Sequence, residues 1–252
     1  MEIRAVIKGA IEKITNTRIY RTLPRGVDVA QDIRNSLPNF RARVVFDIGA
    51  NVGQSAKVFL AMFPLCHVDC FEPASETFAE LRQSLKQSSR VDCHRLAFGS
   101  SSGKGKMVLH GHSVMSFLLD ESSDIPLKPD MATEPVDVAT VDEFCSARNI
   151  DRIGYLKIDT EGGDLDVLKG AEGMLGEQRI DLVQVEAGMN ATNHRHVPLE
   201  ALKEFLEPLG YFLFGIYEQM HEWPTDEPHL RRTNLVFVSQ QVIASNTIPT
   251  TS

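Results

Sequence analysis

The sequence predicts an α/β fold in which helices cover both faces of a mostly parallel sheet. From residue 44 onward, short apolar runs alternate with segments of helical periodicity, which is the pattern of consecutive β-α-β units. A glycine-rich turn follows the first of these runs, where such a sheet binds its ligand. The 252 residues, 42% hydrophobic and 24% charged, are enough for one large domain with a full core.

The predicted elements alternate along the central part of the chain, residues 41–240. Strands are predicted at 44–48, 67–71, 91–98, 153–158, 180–185, 211–217 and 234–238, where apolar and β-branched residues cluster. Helices are predicted at 54–63, 75–86, 164–175 and 199–207, where apolar residues recur at helical spacing. Residues 99–135 interrupt this order with glycine, serine, proline and lysine, and they predict an inserted hairpin and loop over the ligand-binding edge of the sheet.

The two ends of the chain are predicted to lie outside this α/β domain. Residues 1–40 predict a helical extension, since Ile3, Ile7 and Ile11 recur at helical spacing with basic residues between them. Such a helix docks on its own domain or forms a homodimer contact, and binding to a membrane surface is the alternative. Residues 241–252 predict a disordered tail.

Composition and charge argue against several classes of protein. The net charge of −8 disfavours a nucleic-acid-binding protein, which needs a basic surface. No apolar run approaches the ~20 residues that span a bilayer, so no transmembrane segment is predicted. The four cysteines show no metal-ligand spacing and are interpreted as reduced thiols of a cytoplasmic protein.

The glycine-rich stretch FDIGANVGQS, residues 46–55, predicts a cofactor site. Gly49 and Gly53 would let a ligand approach the backbone, and Asp47 and Asn51 stand beside them. A nicotinamide site uses such a turn to bind an anionic pyrophosphate, which the Asp47 carboxylate would repel. A cationic ligand without phosphates, such as S-adenosylmethionine, fits this turn better.

The ends of the next two predicted strands favour the same ligand. Glu72 and Pro73 follow the second strand, and the Glu72 carboxylate can accept hydrogen bonds from both ribose hydroxyls of adenosylmethionine. Ala97 and Phe98 end the third strand and offer backbone contacts and a stacking face for adenine. Two alternatives remain: a nicotinamide- or nucleotide-binding Rossmann protein, and an adenosylmethionine-binding protein without catalytic activity.

The chain carries four motifs within residues 44–186, namely FDIGANVGQS, FEP, TVDEF and LKIDTEGGDLDVLKGA. In this order they resemble the FkbM family of S-adenosylmethionine-dependent methyltransferases, and the last motif is the most specific. The resemblance implies a Rossmann-like class I methyltransferase fold with seven strands, the last of them antiparallel. It also implies O-methylation of a small-molecule hydroxyl acceptor, either a sugar or a secondary metabolite such as a polyketide.

Methyl transfer to an alcohol needs a general base, or a metal ion that acidifies the hydroxyl. Asp159 ends the strand at 153–158 and is predicted to be both a catalytic and a cofactor-binding residue. Lys157 is a competing base if burial lowers its pKa. The metal alternative is a Mg²⁺ site formed by the carboxylates of Asp159, Glu161 and Glu186.

Two histidines in the loop after the strand at 180–185 are further candidates for the general base. His194 and His196 follow a strand whose carboxyl end faces the predicted cofactor site. Histidine changes its charge near neutral pH, so either imidazole could accept the hydroxyl proton. The sequence leaves open which of these histidines, Asp159 or Lys157 is the base.

Overall fold

The computed structural model of the protein describes residues 2–109, 117–120, 132–193, 195–223 and 225–247. Its strands are β1 (Val44–Ile48), β2 (His67–Phe71), β3 (Val91–His94), β4 (Ala97–Phe98), β5 (Gly103–Leu109), β6 (Phe117–Asp120), β7 (Ala132–Ala139), β8 (Ile153–Ile158), β9 (Ile180–Gly188), β10 (Tyr211–Glu222) and β11 (Glu227–Ser239). Its helices are α1 (Glu2–Thr15), α2 (Val29–Ser36), α3 (Gln54–Met62), α4 (Ser75–Leu85), α5 (Val141–Arg148), α6 (Asp164–Lys169), α7 (Glu172–Gly176), α8 (Leu199–Leu206) and α9 (Gln240–Asn246), with a 3₁₀ helix over Glu207–Leu209.

Seven strands form the central sheet in the order β3-β2-β1-β8-β9-β11-β10. All neighbours pair in parallel except at β11, which runs antiparallel to both β9 and β10. Every residue of the central strand β8 is buried, because a parallel strand is covered on both faces and therefore consists of a nearly continuous apolar run. This topology confirms the predicted class I methyltransferase fold.

A second sheet has the order β4-β7-β5-β6 and accounts for part of the predicted insertion. The strand predicted at residues 91–98 is in fact two strands that belong to different sheets. At Arg95 the chain leaves the central sheet, and the Arg95 guanidinium donates to the carbonyl of Pro73 at 3.2 Å. Strand β4 then pairs with β7 instead of with β2. The other predicted parts of the insertion, residues 110–116 and 121–131, lie outside the described residues.

Side-chain caps fix where three of the helices begin. Asp28, Thr140 and Ser239 each accept a hydrogen bond from a backbone N–H in the first turn of α2, α5 and α9, respectively. Short side chains with an oxygen are preferred at this position because they satisfy N–H groups that have no partner within the helix.

Both terminal segments include residues that pack on the domain. In α2, Ile33 joins the hydrophobic core, and the buried Asp32 accepts a hydrogen bond from the Tyr217 hydroxyl at 3.0 Å. The segment predicted as a tail from residue 241 begins with most of α9, and Val242 of this helix is buried; residues 248–252 lie outside the described residues. None of the helices described above is both long and apolar enough to cross a bilayer.

Candidate active site

A cavity of about 430 Å³ lies at the carboxyl ends of β1, β2 and β8, between the central sheet and the second sheet. Seven of the predicted cofactor-binding residues line it, namely Gly49, Asn51, Glu72, Pro73, Ala97, Phe98 and Asp159. The second sheet contributes residues 103–105, Met107 and Val138 to the wall. Sequence reasoning missed these lining residues, although it did predict that the insertion lies over this edge.

The glycine turn after β1 brings the backbone close to the end of β8. Gly49 has a φ of +75°, and a Cβ atom at this position would lie 1.9 Å from the carbonyl oxygen of Asp159. The amides of Gly49 and Ala50 both donate to the carbonyl of Phe71, each at 3.0 Å. Asn51 also has a positive φ of 49°, which asparagine adopts more readily than most residues. The turn is therefore fixed against the ends of both neighbouring strands.

Glu72 is a buried carboxylate in the cavity wall. One of its oxygens accepts a hydrogen bond from the amide of Ala74 at 3.0 Å, and the other accepts one from the amide of Asn51 at 3.2 Å. Burial raises the pKa of Glu72 to about 6, although the two backbone hydrogen bonds oppose the shift. Each oxygen keeps a lone pair with which to accept a ligand hydroxyl.

Two further carboxylates reach the cavity from the turn after β8. The side chain of Asp159 is 40% exposed and forms an ion pair with Lys157 at 3.3 Å. Glu161 has a φ of +57° and pairs with Arg195 at 2.8 Å. Burial raises the pKa of Glu161, and the Arg195 guanidinium opposes the shift.

The side chain of Asp164 stabilises the turn that carries Glu161 through hydrogen bonds to its backbone. This side chain is 1% exposed and accepts hydrogen bonds from the amides of Thr160 and Gly162, at 3.1 and 3.3 Å. Sequence reasoning missed Asp164, although an aspartate at the start of a helix, just after a glycine pair, is a typical signal for such a turn.

Comparison with known proteins places the chain in a family. Residues 47–213 match the methyltransferase FkbM domain. The chain belongs to the FkbM methyltransferase family. This membership confirms the resemblance that the motifs showed and, with it, the predicted enzyme class.

The relatives of this methyltransferase include two with names that refer to sugar chemistry or to a hydroxyl position. It is 24% identical over 173 residues to 2-O-methyltransferase NoeI of Sinorhizobium fredii, a match that covers 65% of this chain and 70% of the relative. It is 23% identical over 147 residues to hexuronic acid methyltransferase AglP of Haloferax volcanii, which covers 58% of this chain and 57% of the relative.

The fold of the methyltransferase is also similar to those of solved methyltransferase structures. M. capricolum TrmK in complex with S-adenosylhomocysteine gives a TM-score of 0.47 at 8% identity, covering 82% of this chain and 67% of the other. Precorrin-6y C5,15-methyltransferase from Geobacter metallireducens gives 0.44 at 13% identity, covering 84% and 87%. The fold assignment rests on the strand order of the central sheet.

Asp47 and Gly53 of the FkbM methyltransferase are not among the residues that line the cavity. The Asp47 side chain is fully buried, accepts a hydrogen bond from Ser55 at 2.8 Å and forms an ion pair with Lys157 at 3.2 Å. Gly53 lies against α4, where a Cβ atom would be 2.9 Å from the side chain of Leu85. Asp47 therefore positions Lys157 and the start of α3. The sequence had predicted that it faces a cationic ligand, and this geometry disfavours that role.

Lys157 is held as a cation, which disfavours its predicted role as a base. Burial alone would lower the pKa of Lys157, but the charges of Asp47 and Asp159 outweigh burial and raise this pKa above its ordinary value. The Lys157 ammonium also donates to the carbonyl of Gly49 at 3.2 Å. Its position suits the neutralisation of two carboxylates and the support of the glycine turn.

The predicted base His196 uses both of its ring nitrogens within the protein. Nε2 lies 2.6 Å from a carboxylate oxygen of Glu186, and Nδ1 lies 3.0 Å from the side-chain oxygen of Asn193. Burial lowers the pKa of His196, and its side chain is not among those that line the cavity. This geometry disfavours His196 as a base, whereas His194 lies outside the described residues.

The predicted magnesium ligands do not come together in the structure. Asp159, Glu161 and Glu186 form no cluster in which the carboxylate oxygens could share one ion, within the part of the chain that is described. Each has a cationic partner instead: Asp159 pairs with Lys157, Glu161 pairs with Arg195, and Glu186 pairs with Arg232. Glu186 also lies within hydrogen-bond distance of His196. An ion would have to displace these partners, so the residues present do not fit Mg²⁺.

Proposed function

We propose that the cavity binds S-adenosylmethionine and that the protein transfers its methyl group to a hydroxyl of a sugar-type acceptor. The charge of the cavity wall carries this proposal. Its lining includes four carboxylates, from Glu72, Asp159, Glu161 and Asp166, and one lysine, Lys104. Such a wall attracts the sulfonium and ammonium groups of adenosylmethionine and repels the pyrophosphate of a nicotinamide cofactor.

The position of each lining group supports this ligand. Glu72 sits at the end of β2 with acceptor lone pairs for the ribose hydroxyls, and Phe98 offers an aromatic ring in the wall for adenine. Asp159 lies at the end of β8, beside the glycine turn, where a carboxylate suits the α-ammonium group. The single positive charge of Lys157 is shared between the carboxylates of Asp47 and Asp159. The net charge of these three side chains is therefore negative.

The names of two relatives support a hydroxyl as the methyl acceptor. One is a 2-O-methyltransferase and another a hexuronic acid methyltransferase. In the proposed reaction the sulfonium–methyl bond breaks while an oxygen–methyl bond forms, and S-adenosylhomocysteine leaves. The acceptor proton moves to a carboxylate of the cavity wall, and we assign this role to Glu161.

Glu161 suits the role better than its neighbour Asp159. Its pKa is raised by burial, and a base whose pKa lies closer to neutrality accepts a proton more readily. Asp159 instead lies beside the glycine turn and forms an ion pair with the Lys157 ammonium, where we assign it to the α-ammonium group of the cofactor.

Isothermal titration calorimetry with adenosylmethionine and NAD⁺ tests the cofactor, using wild type and Glu72→Gln between pH 5 and pH 8. Hydrogen bonds from the ribose hydroxyls stabilise the charged carboxylate, so binding lowers the pKa of Glu72 from its value of about 6 in the free protein. Wild-type affinity for adenosylmethionine should therefore be full above pH 6 and should fall as the pH drops below it.

Glu72→Gln should weaken adenosylmethionine binding about tenfold or more, because a hydrogen bond to a charged group contributes about 1.5–3 kcal/mol. Its affinity should also change little with pH. The matched control is Glu76→Gln, an exposed carboxylate in the first turn of α4, which should bind as wild type does. Preferential binding of NAD⁺, or a Glu72→Gln variant with wild-type affinity and pH dependence, would contradict the proposal.

A further inference from the structure

Three metal-ligating side chains meet at the edge of the central sheet that is opposite the cavity. His67, Asp69 and Asp92 each offer one ligand atom, and these atoms all lie within 4.8 Å of one another. His67 is the first residue of β2, so this cluster lies roughly 16 Å along the strand from Glu72. We propose that it binds a divalent metal ion of the zinc type.

The strand register explains why these side chains converge. Strands β2 and β3 pair in parallel with Asp69 opposite Asp92. Side chains alternate between the two faces of a strand, so His67 and Asp69 point to one face of β2, and Asp92 and His94 point to the same face on β3. The His67 ring nitrogen Nε2 lies 3.0 Å from a carboxylate oxygen of Asp92.

One ligand of the cluster is held in place before any ion binds. Asp69 is 7% exposed, and one of its oxygens lies 2.8 Å from Nε2 of His94. The His94 ring is itself stacked on Phe71, with ring centroids 4.9 Å apart and an interplanar angle of 23°. Carboxylates that bind a metal ion are commonly held by a hydrogen bond to a neighbouring group, and this arrangement leaves the second oxygen of Asp69 for an ion.

The other two ligands are accessible to an ion from solvent. The side chains of His67 and Asp92 are 41% and 64% exposed, so either can shift by a rotamer change at little cost. Two carboxylates neutralise the charge of a divalent ion, and an imidazole nitrogen favours a transition-type ion such as Zn²⁺ over Mg²⁺ and Ca²⁺. Three protein ligands leave the remaining coordination positions to water.

An ion at this site would join the outermost strand of the sheet to its neighbour. β3 ends the strand order and pairs with β2 alone in the central sheet. Ligands from both strands would cross-link them, so binding should stabilise the folded protein. This proposal does not depend on the proposed function, because none of the three ligands lines the cavity.

The test uses protein freed of metal with EDTA, titrated with ZnCl₂ by calorimetry and with CoCl₂ by visible absorption. We expect one ion per chain, a rise in the melting temperature with Zn²⁺, and a Co²⁺ spectrum typical of mixed nitrogen and oxygen ligands. Asp92→Asn and His67→Ala should each weaken Zn²⁺ binding about tenfold or more.

The matched controls are Asp151→Asn and His229→Ala, whose side chains are exposed and lie away from the cluster; both should bind Zn²⁺ as wild type does. The melting temperature without metal shows that each variant is folded. Absence of Zn²⁺ binding by the wild type, or binding that His67→Ala and Asp92→Asn leave unchanged, would overturn the proposal. Adenosylmethionine affinity is measured in parallel, so failure of the cofactor proposal is seen separately.

Discussion

At the scale of single residues, the carboxylates of the cavity wall differ because their partners differ. Glu72 accepts two backbone hydrogen bonds, Asp159 pairs with an ammonium, and Glu161 pairs with a guanidinium. Burial raises the pKa of Glu72 and Glu161. Glu72 is held by backbone N–H groups, whereas the structure shows no backbone N–H that donates to Glu161 among the described residues. Glu161 is therefore the wall carboxylate with a raised pKa that is free of such backbone hydrogen bonds, and we assign the proton transfer to it.

Glu161→Gln should lower the rate of methyl transfer by about 10²–10⁴-fold, since a positioned base contributes that much. Adenosylmethionine affinity should fall far less than the rate, because Glu161 contributes only its charge to the cofactor site and is assigned no hydrogen bond to the cofactor. The measurement is transfer of a radiolabelled methyl group from adenosylmethionine to a panel of hexoses and hexuronic acids.

Glu76→Gln is the matched control for this experiment, since Glu76 is an exposed glutamate in α4 that does not line the cavity. Its rate should stay close to that of the wild type. A Glu161→Gln protein that transfers methyl groups at the wild-type rate would rule out Glu161 as the base.

The sequence predicted which residues lie at the strand ends but not how their side chains pair. Glu72 and Asp159 line the cavity as predicted, because both directly follow buried parallel strands. Asp47 and Lys157 do not line the cavity and form an ion pair across two neighbouring strands, which disfavours the roles predicted for them. Such a pairing depends on which strands are neighbours in the sheet. The apolar pattern within each strand does not predict this order.

At the scale of elements, the turn between β1 and α3 depends on Gly49. Gly49→Ala combines a φ of +75° with a Cβ atom 1.9 Å from a backbone oxygen of Asp159. We expect a loss of about 1–3 kcal/mol in the free energy of unfolding and weaker adenosylmethionine binding, because the turn must move away from β8. Urea denaturation measures the first effect and calorimetry the second.

Gly176→Ala is the control for this turn, because a Cβ atom at Gly176 meets nothing within 4 Å. Its free energy of unfolding should stay within about 0.5 kcal/mol of the wild-type value. If Gly49→Ala were as stable as the wild type, the close approach of the turn to β8 would not require glycine at position 49.

The split between β3 and β4 shows what local patterns miss at this scale. Residues 91–98 have the composition of a single strand, yet β3 pairs with β2 and β4 pairs with β7. The partner strand β7 lies more than thirty residues later in the chain. A non-local partner decides which sheet a short strand joins, and the apolar pattern on either side of Arg95 is the same for both outcomes.

At the scale of the whole molecule, the cavity exists because two sheets meet. The central sheet was predictable since each β-α-β unit is local in sequence and has one favoured hand. The second sheet was predicted only as a hairpin and loop, because antiparallel pairing of β5 with β7 brings together Gly103 and Val138, far apart in the chain. Its role as a cavity wall follows from this pairing.

Adenosylmethionine should therefore protect both sheets at once from amide hydrogen exchange. We expect slower exchange at residues 49–53, 97–107 and 159–163, which line or support the cavity, because a bound ligand suppresses local opening. Strands β10 and β11, at the far end of the central sheet, should exchange as in the free protein.

Mass spectrometry of peptides from each region measures the effect, with Glu72→Gln at the same ligand concentration as the weak-binding control. Protection confined to 49–53 and 159–163 would show that the cofactor does not contact the second sheet, and would assign that wall to the acceptor instead.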